Sequence, residues 1–473
     1  KTSSGQKKLD AQLRLADTYF VQGKYAQATT AYQSIIQNQS TQADYAAFQK
    51  ALSNGFMQKN DVKIAELQSF LSTYPNSSYA DDAMYELGAT FANIKQTNQS
   101  IQAFNNLIQK YPNSPYVSSA ILRQGLVYYN AGDNTKAIER FKKVVYDYPG
   151  TDDAIQAVQN ARIAYNESGQ AAEFANWVRT VDFVDISTAE LESDAYEIAD
   201  KLLAQGKKVE AFKGFKDYLK QYPNGTFAFK ANFNVAEILF ADGKTSEAKT
   251  HYQTIVSKSK NEYTEPSLVR LSTIALNEKR DEESIAFLKQ LDQVASNDQN
   301  VLFAQSNLMK VYFNQNKLAE ASEFANKVIK NTKADKKVLS DAYVILGRQA
   351  IANGNASQAK SYYDNLAKVG VGEAAAEALY YDAYFKTEDK KFEASNTVIQ
   401  KLAKDYSAYQ YFGAKGLILM AKNFYGLKDS YQATYVLENV ISNFKQYPDV
   451  VQEAQTLLNQ YKSQESKRNS SVK

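Results

Sequence analysis

Residue types that do chemistry are scarce in this chain, and their spacing suits little of it. The 473 residues hold one histidine, His251, and no cysteine. Thiol nucleophiles, disulfides and thiolate metal sites are therefore excluded, and an imidazole beside Tyr252 has no second histidine with which to share a metal. His251 reads as a helix-face side chain. Adjacent carboxylates occur as Asp81-Asp82, Asp152-Asp153 and Glu282-Glu283. Acid and base catalysis needs two carboxyls whose surroundings push their pKa values apart, whereas these pairs stand at expected helix starts, where negative charge meets the positive end of the helix dipole. No glycine-rich phosphate loop and no nucleophile elbow is present. The expectation is a non-enzyme without catalytic, cofactor-binding or metal-binding residues.

What the chain repeats is a helix stop. Tyr74-Pro75-Asn76-Ser77 returns as Tyr111-Pro112-Asn113-Ser114, Tyr148-Pro149-Gly150-Thr151 and Tyr222-Pro223-Asn224-Gly225. The first three prolines stand 37 residues apart, and Pro223 follows after 74, two periods. Proline cannot donate the next intrahelical hydrogen bond and biases the preceding tyrosine away from helix, so each phrase ends one helix and prepares the next. A fixed period of this size marks a stacked array, and the length allows about a dozen repeats.

Each period divides into two helices. A small residue recurs in the first helix at Ala16, Ala51, Gly88, Gly125, Ala161, Ala199, Ala236, Ser272, Gly347, Ala383 and Ala421, with Met309 the exception. A second series runs through Ala28, Ser100, Ala137, Ala211, Ala248, Ser284, Ala321, Ala359, Ala394 and Ala433, usually with an aromatic or aliphatic residue four places on. Small residues let two helix backbones approach closely. Between the helices, glycines such as Gly23, Gly132, Gly206, Gly243 and Gly354 supply a left-handed turn.

Charge and hydropathy exclude other classes. The net charge of +3 comes from 55 basic and 52 acidic residues spread along the chain, with no basic tract to follow nucleic acid. No apolar run approaches the ~18 residues that a bilayer-spanning helix needs, so direct membrane insertion is not expected. The chain opens on Lys1, and the expectation is a processed or excised chain, with the presence of a leader, lipid anchor, further repeats or another domain upstream left open.

These hairpins resemble the tetratricopeptide repeat. The resemblance rests on a small residue followed three later by an aromatic (Ala16/Tyr19, Gly88/Phe91, Gly125/Tyr128), the glycine turn, the second alanine series and the closing proline, over 8–445. It implies an all-α, right-handed superhelical solenoid of about twelve hairpins. The period is nearer 37 than 34, and tryptophan is missing from the first helices. The phrases at 74–83 and 111–116 are similar to periplasmic repeat proteins of Gram-negative bacteria of the BamD and Tol-Pal accessory type. That narrower likeness implies the periplasm, or the periplasmic face of the outer membrane, with the cytoplasm as the alternative.

The resemblance also implies where partners bind. Repeats of this family that grip a C-terminal carboxylate carry asparagine just after the small residue; here those positions include Leu126, Lys310 and Arg348, and none is asparagine, so that clamp is not expected. First helices line the concave face, which places Phe20, Tyr85, Tyr129, Tyr196, Phe233, Phe240, Phe313, Tyr380 and Tyr425 as the candidate groove. Aromatics there can anchor a peptide or can simply fill space between repeats.

The expected organisation is a block of about five repeats over 1–186, about seven over 187–447, a capping helix over 448–462 and a disordered tail over 463–473. The pattern falters between Asn176 and Thr188, which suggests the seam. The expected function is a protein-interaction scaffold in envelope or outer-membrane assembly, with protein or peptide partners. The alternative is a spacer that contacts partners through its ends.

Overall fold

A computed structural model describes residues 3–471, and among these there are twenty-five helices and no strand. Two compact units divide the chain, Lys1–Ala241 and Asp242–Lys473. In the first, the hairpins are α1 (Ser3–Val21) with α2 (Tyr25–Gln37), α3 (Ala43–Phe56) with α4 (Asn60–Thr73), and α5 (Ala80–Asn93) with α6 (Thr97–Lys110). They continue as α7 (Val117–Asn130) with α8 (Asn134–Asp147), α9 (Asp152–Glu167) with α10 (Ala171–Val178), and α11 (Thr188–Ala204) with α12 (Lys208–Gln221), before α13 (Ala228–Ala241). The second unit opens with α14 (Thr245–Val256). Its hairpins are α15 (Thr264–Asn277) with α16 (Asp281–Val294), α17 (Asp298–Asn314) with α18 (Leu318–Val328), and α19 (Lys336–Ala352) with α20 (Ala356–Val369). Then come α21 (Glu373–Glu388) with α22 (Phe392–Asp405), α23 (Gln410–Gly426) with α24 (Ser430–Asn443), and α25 (Pro448–Ser471).

The small residues sit where the backbones meet. Ala16, Ala51, Ala161, Ala199, Ser272, Ala383 and Ala421 are wholly buried. At the glycines the second helix fills the space: a Cβ on Gly88 would meet the Phe104 ring at 2.7 Å, and one on Gly347 the Tyr363 ring at 2.7 Å. At Met309, itself fully buried, the register reverses: sixteen residues on, where Phe104 and Tyr363 stand relative to Gly88 and Gly347, is the fully buried Ala325. Total volume is conserved while large and small trade sides. The second repeat puts Lys63 at its small-residue place. Its stem lies where a Cβ on Gly55 would be, and its ammonium reaches Glu86 at 2.5 Å.

One register differs from the sequence reading. Ala394 is exposed, and the buried small residue of α22 is Ser395, whose hydroxyl donates to the Ala383 carbonyl at 2.9 Å. Ser100 makes the same bond to the Gly88 carbonyl at 2.8 Å, which confirms the equivalence.

Turns follow one geometry with or without glycine. After α1 the Gly23 N–H donates to the Phe20 carbonyl and Lys24 N–H to Tyr19, with Gly23 at φ +72°. After α5 the same pair of bonds forms with Lys95 at φ +60° in the glycine place. The Tyr-Pro stops end α4, α6, α8 and α12 as expected. The Tyr111 hydroxyl donates to the Pro75 carbonyl at 3.3 Å, tying one stop to the previous one.

The expected seam at 186–187 lies inside the first unit. There α10 is only eight residues long. The stretch behind it packs Val181, Phe183, Val184 and Ile186 onto the core of α7, α8 and α9. Arg162 on α9 reaches across to Asp194 on α11 with bonds of 2.6 and 3.1 Å. The capping helix is longer than expected. Val450, Ala454, Leu458 and Tyr461 bury against Ala414, Ile418, Ala421 and Leu437, and the helix then runs on to Ser471, where a disordered tail was expected from Ser463. Polar residues of those extra turns find partners: Gln464 accepts from Tyr425 at 2.7 Å and Glu465 from Ser430 at 2.9 Å. Val472 and Lys473, also assigned to that tail, lie outside the described residues. No helix is long and apolar enough to cross a membrane among the described residues.

Candidate partner-binding clefts

Helix-end roles account for the residues that first suggested chemistry. Asp81, Asp82, Asp152, Asp153, Glu282 and Glu283 all occupy first turns. Three of them are also engaged: Asp82 accepts from Tyr116 at 2.7 Å, Asp153 accepts from Ser118 and Ser119 at 2.5 and 2.7 Å, and Glu283 pairs with Lys249. The Lys249 bond holds the Glu283 carboxyl below its ordinary range. His251 is half-buried on α14. Among the described residues no group of three or more His, Cys, Asp or Glu is placed to hold a metal ion.

Most of the nine candidate groove aromatics bridge neighbouring helices. Tyr85 stacks on Tyr116 at 5.0 Å, and the Tyr116 hydroxyl donates to Asp82 at 2.7 Å, a bond that pushes its pKa up to about 12. The Tyr129 hydroxyl donates to Glu167 at 2.9 Å and is raised by that bond. Tyr196 is buried and stacks on Phe227 at 4.6 Å, with the Lys230 ammonium 4.9 Å from its ring centre. Phe233 and Phe240 are half-buried on α13. Tyr380 is buried beside Tyr381 and Phe412, and Tyr425 lies flat on Tyr461 at 3.8 Å. Phe20 joins Tyr25 and Phe56 in a cluster with centroids 4.9 to 5.7 Å apart.

Phe313 is different, because it opens into a cleft. Three successive first helices, α17, α19 and α21, enclose about 430 Å³ there. Phe313 and Val344 supply apolar wall, and Val371, 56% exposed, projects beside it from the short connection before α21. Arg348 braces the wall through a two-pronged pair with Glu377 at 2.8 and 2.6 Å, its guanidinium 5.7 Å from the Phe313 ring centre. Glu377 is 2% exposed and also accepts from the Tyr363 hydroxyl at 3.0 Å. This pairing raises the Arg348 pKa, chiefly through the hydrogen bond, so its charge is permanent. Fixed on both sides, the wall keeps one shape. A side chain entering it meets apolar surface from Phe313, Val344, Ile345 and Val371 interleaved with the charged Lys310, Lys337, Asp341, Arg348 and Glu373.

A second cleft of about 560 Å³ lies in the first unit, between α5 and α7. Leu126, Val127, Ala92 and Ala131 form its apolar part, and Lys95, Arg123, Asn93, Asn130 and Thr97 its polar part. Sequence reasoning singled out no residue of this cleft as groove lining. A signal existed nonetheless: Leu126 here, and Lys310 and Arg348 in the other cleft, occupy the place just after the small residue, which the clamp comparison inspected only for asparagine.

The comparisons follow the same repeats. The tetratricopeptide-repeat family model matches residues 10–40, 82–114 and 119–151, and a model of the tetratricopeptide repeat-like domain matches 177–343. No curated protein sequence matches the chain. Among solved structures, MamA protein is similar at 20% identity over 41% of this chain and 94% of that one, with a TM-score of 0.31. A tetratricopeptide repeat protein from Parabacteroides merdae ATCC 43184 is similar at 13% identity over 63% of this chain and 97% of that one, with a TM-score of 0.29. A chain in the structure of Naa15/Naa10 bound to HypK-THB is similar at 11% identity over 96% of this chain and 79% of that one, with a TM-score of 0.33. With family models matching over more than half of its length, and hairpin after hairpin closing on the same small residues, this chain is a tetratricopeptide-repeat protein.

Proposed function

We propose that the chain is a non-enzymatic scaffold that holds a segment of a partner protein against the wall formed by its first helices. The cleft around Phe313 and Val371 carries this reading. A large exposed apolar side chain beside a braced aromatic is what an interface anchor needs, since the protein side is already ordered and little freedom is lost on binding. Affinity purification from the native host tests it with the Phe313→Ala, Val371→Glu double variant. Removing an anchor contact costs about 2 kcal/mol, roughly 30-fold in affinity. The partners should be lost while helical circular dichroism stays unchanged; full retention of every partner overturns the reading.

A second reading, in which partners meet an end of the array, is favoured by Leu427, Tyr431 and Tyr435, which are 39%, 76% and 55% exposed on and just before α24. Tyr431→Ser with Tyr435→Ser removes the partners on that reading and leaves them on the first. Placement in the bacterial envelope, with a role in its assembly, rests on the Tyr-Pro-Asn phrases alone. Cell fractionation tests it: recovery with the soluble cytoplasmic proteins overturns it.

A further inference from the structure

The two clefts differ in how their charges are used. Around Phe313 two of the three lining cations are already engaged, Arg348 with Glu377 and Lys310 with Asp341 at 3.5 Å, and the third, Lys337, shares the cleft with the carboxylates of Asp341, Glu373 and Glu377. Between α5 and α7, Lys95 and Arg123 line the cavity with no Asp or Glu among its lining residues. Both are exposed, and neither side chain makes an ion pair, hydrogen bond or ring contact among the described residues. This is notable in a chain with 52 acidic residues, where neighbouring cations such as Lys63 and Lys136 do find carboxylates. Asn93 and Asn130 add side-chain amides that can donate, while Leu126 and Val127 offer apolar surface beside them.

We propose that the cleft between α5 and α7 docks an acidic, extended segment of a partner protein, one carboxylate side chain lying between Lys95 and Arg123 and an apolar neighbour against Leu126 and Val127. This rests on the scaffold reading and adds the charge of the partner. Cation pairing with a carboxylate supplies selection by charge, and the apolar floor supplies contact area that a bare polyanion would not use. Phosphate backbones are held by rows of cations, and two are too few.

The test uses the full chain and a fluorescein-labelled six-residue peptide alternating aspartate and leucine, amidated at its C-terminus so that only side chains carry negative charge. Fluorescence anisotropy follows binding at about 50 and about 300 mM salt, between which charge attraction is strongly screened. Wild type should bind it at least about tenfold more tightly than the asparagine–leucine peptide, a difference of about 1.4 kcal/mol. The Lys95→Glu, Arg123→Glu double variant should lose that preference and instead bind the lysine–leucine peptide. Both side chains are exposed, so the variant should keep its helical signal. A third peptide, with a free C-terminal carboxylate and no acidic side chain, should bind no better than the asparagine peptide. Equal binding of the aspartate and asparagine peptides by wild type overturns the proposal, and so does an unchanged preference in the double variant. Preference for the free C-terminus overturns it in favour of terminal capture. Partner recovery through the Phe313 cleft is read separately, so either idea can fail while the other stands.

Discussion

Gly125→Ala should destabilise the protein even though alanine is the better helix former. A Cβ at position 125 would lie 2.5 Å from Phe141 Cε1 and 2.6 Å from Cδ1. Carbon atoms rest at about 3.5–4.0 Å, so the ring must retreat by about 1 Å. Phe141 is wholly buried and has no solvent to retreat into. Overpacking of this kind costs about 1–3 kcal/mol, while replacing a helical glycine by alanine gains about 1 kcal/mol. The expected balance is a loss of about 1 kcal/mol. Gly413→Ala in α23 is the control, because nothing lies within 4 Å of its added Cβ, and there the propensity gain should appear alone as a stabilisation of about 0.5–1 kcal/mol. Urea unfolding followed by Trp177 fluorescence suits the first variant, since this single tryptophan belongs to the same buried cluster as Phe141. Circular dichroism serves the second. In a Phe141→Leu background the Gly125→Ala penalty should disappear, which assigns it to the ring. If Gly125→Ala shifts the midpoint upward as Gly413→Ala does, the close-approach account of the small-residue series is wrong.

Two further outcomes follow from the polar contacts. Arg348→Met strands the Glu377 carboxylate, which is 2% exposed, and should cost about 2–3 kcal/mol in denaturant unfolding. That is below the ~3–5 of a wholly buried pair because Arg348 keeps 40% of its side chain in water; adding Glu377→Leu should restore most of the loss, and no restoration would contradict the pairing argument. Alkaline pH should weaken the fold through Tyr45, Tyr116 and Tyr411, each pushed up from 10.0 to about 12, the first and last mainly by burial and Tyr116 by its bond to Asp82. The folded state holds these protons more tightly than the unfolded one, so their contribution is intact below pH 10 and lost as pH rises through 12. Thermal melts across that window should fall, and a flat melting temperature to pH 12 would contradict it.

The parts of the fold that were legible from residues are those set by sterics. Close backbone approach demands small side chains at a fixed interval, and proline ends helices whatever surrounds it, so the hairpins and their register could be read from Gly88, Gly125 and the Tyr-Pro stops. Errors fell where contacts decide instead. Ala394 and Ser395 are both small, and it is burial and the Ser395 bond to Ala383 that tell them apart. The extra turns of α25 look like a polar tail because Gln464 and Glu465 gain their helix-stabilising partners from elements far back in sequence. Turns at Lys95, Lys279 and Lys390 were missed because lysine there adopts the left-handed conformation that glycine usually signals. The clefts were the least legible. Spacing shows which aromatics share a helix face, but not that Tyr85 and Tyr425 are covered by Tyr116 and Tyr461 while Phe313 is left open. Val371 owes its exposure to a three-residue connection with Gly372 at φ +59°, which no periodicity announces.

The central claim is that partners lie against the first helices, and photo-crosslinking in the native host tests it most directly. A photoreactive phenylalanine analogue is placed singly at Val371, at Leu126 and, for contrast, at Tyr435 on the second helix α24. Adducts with a partner protein at Val371 and Leu126, and none at Tyr435, are the predicted result. Adducts at Tyr435 with none at the two cleft positions would contradict it.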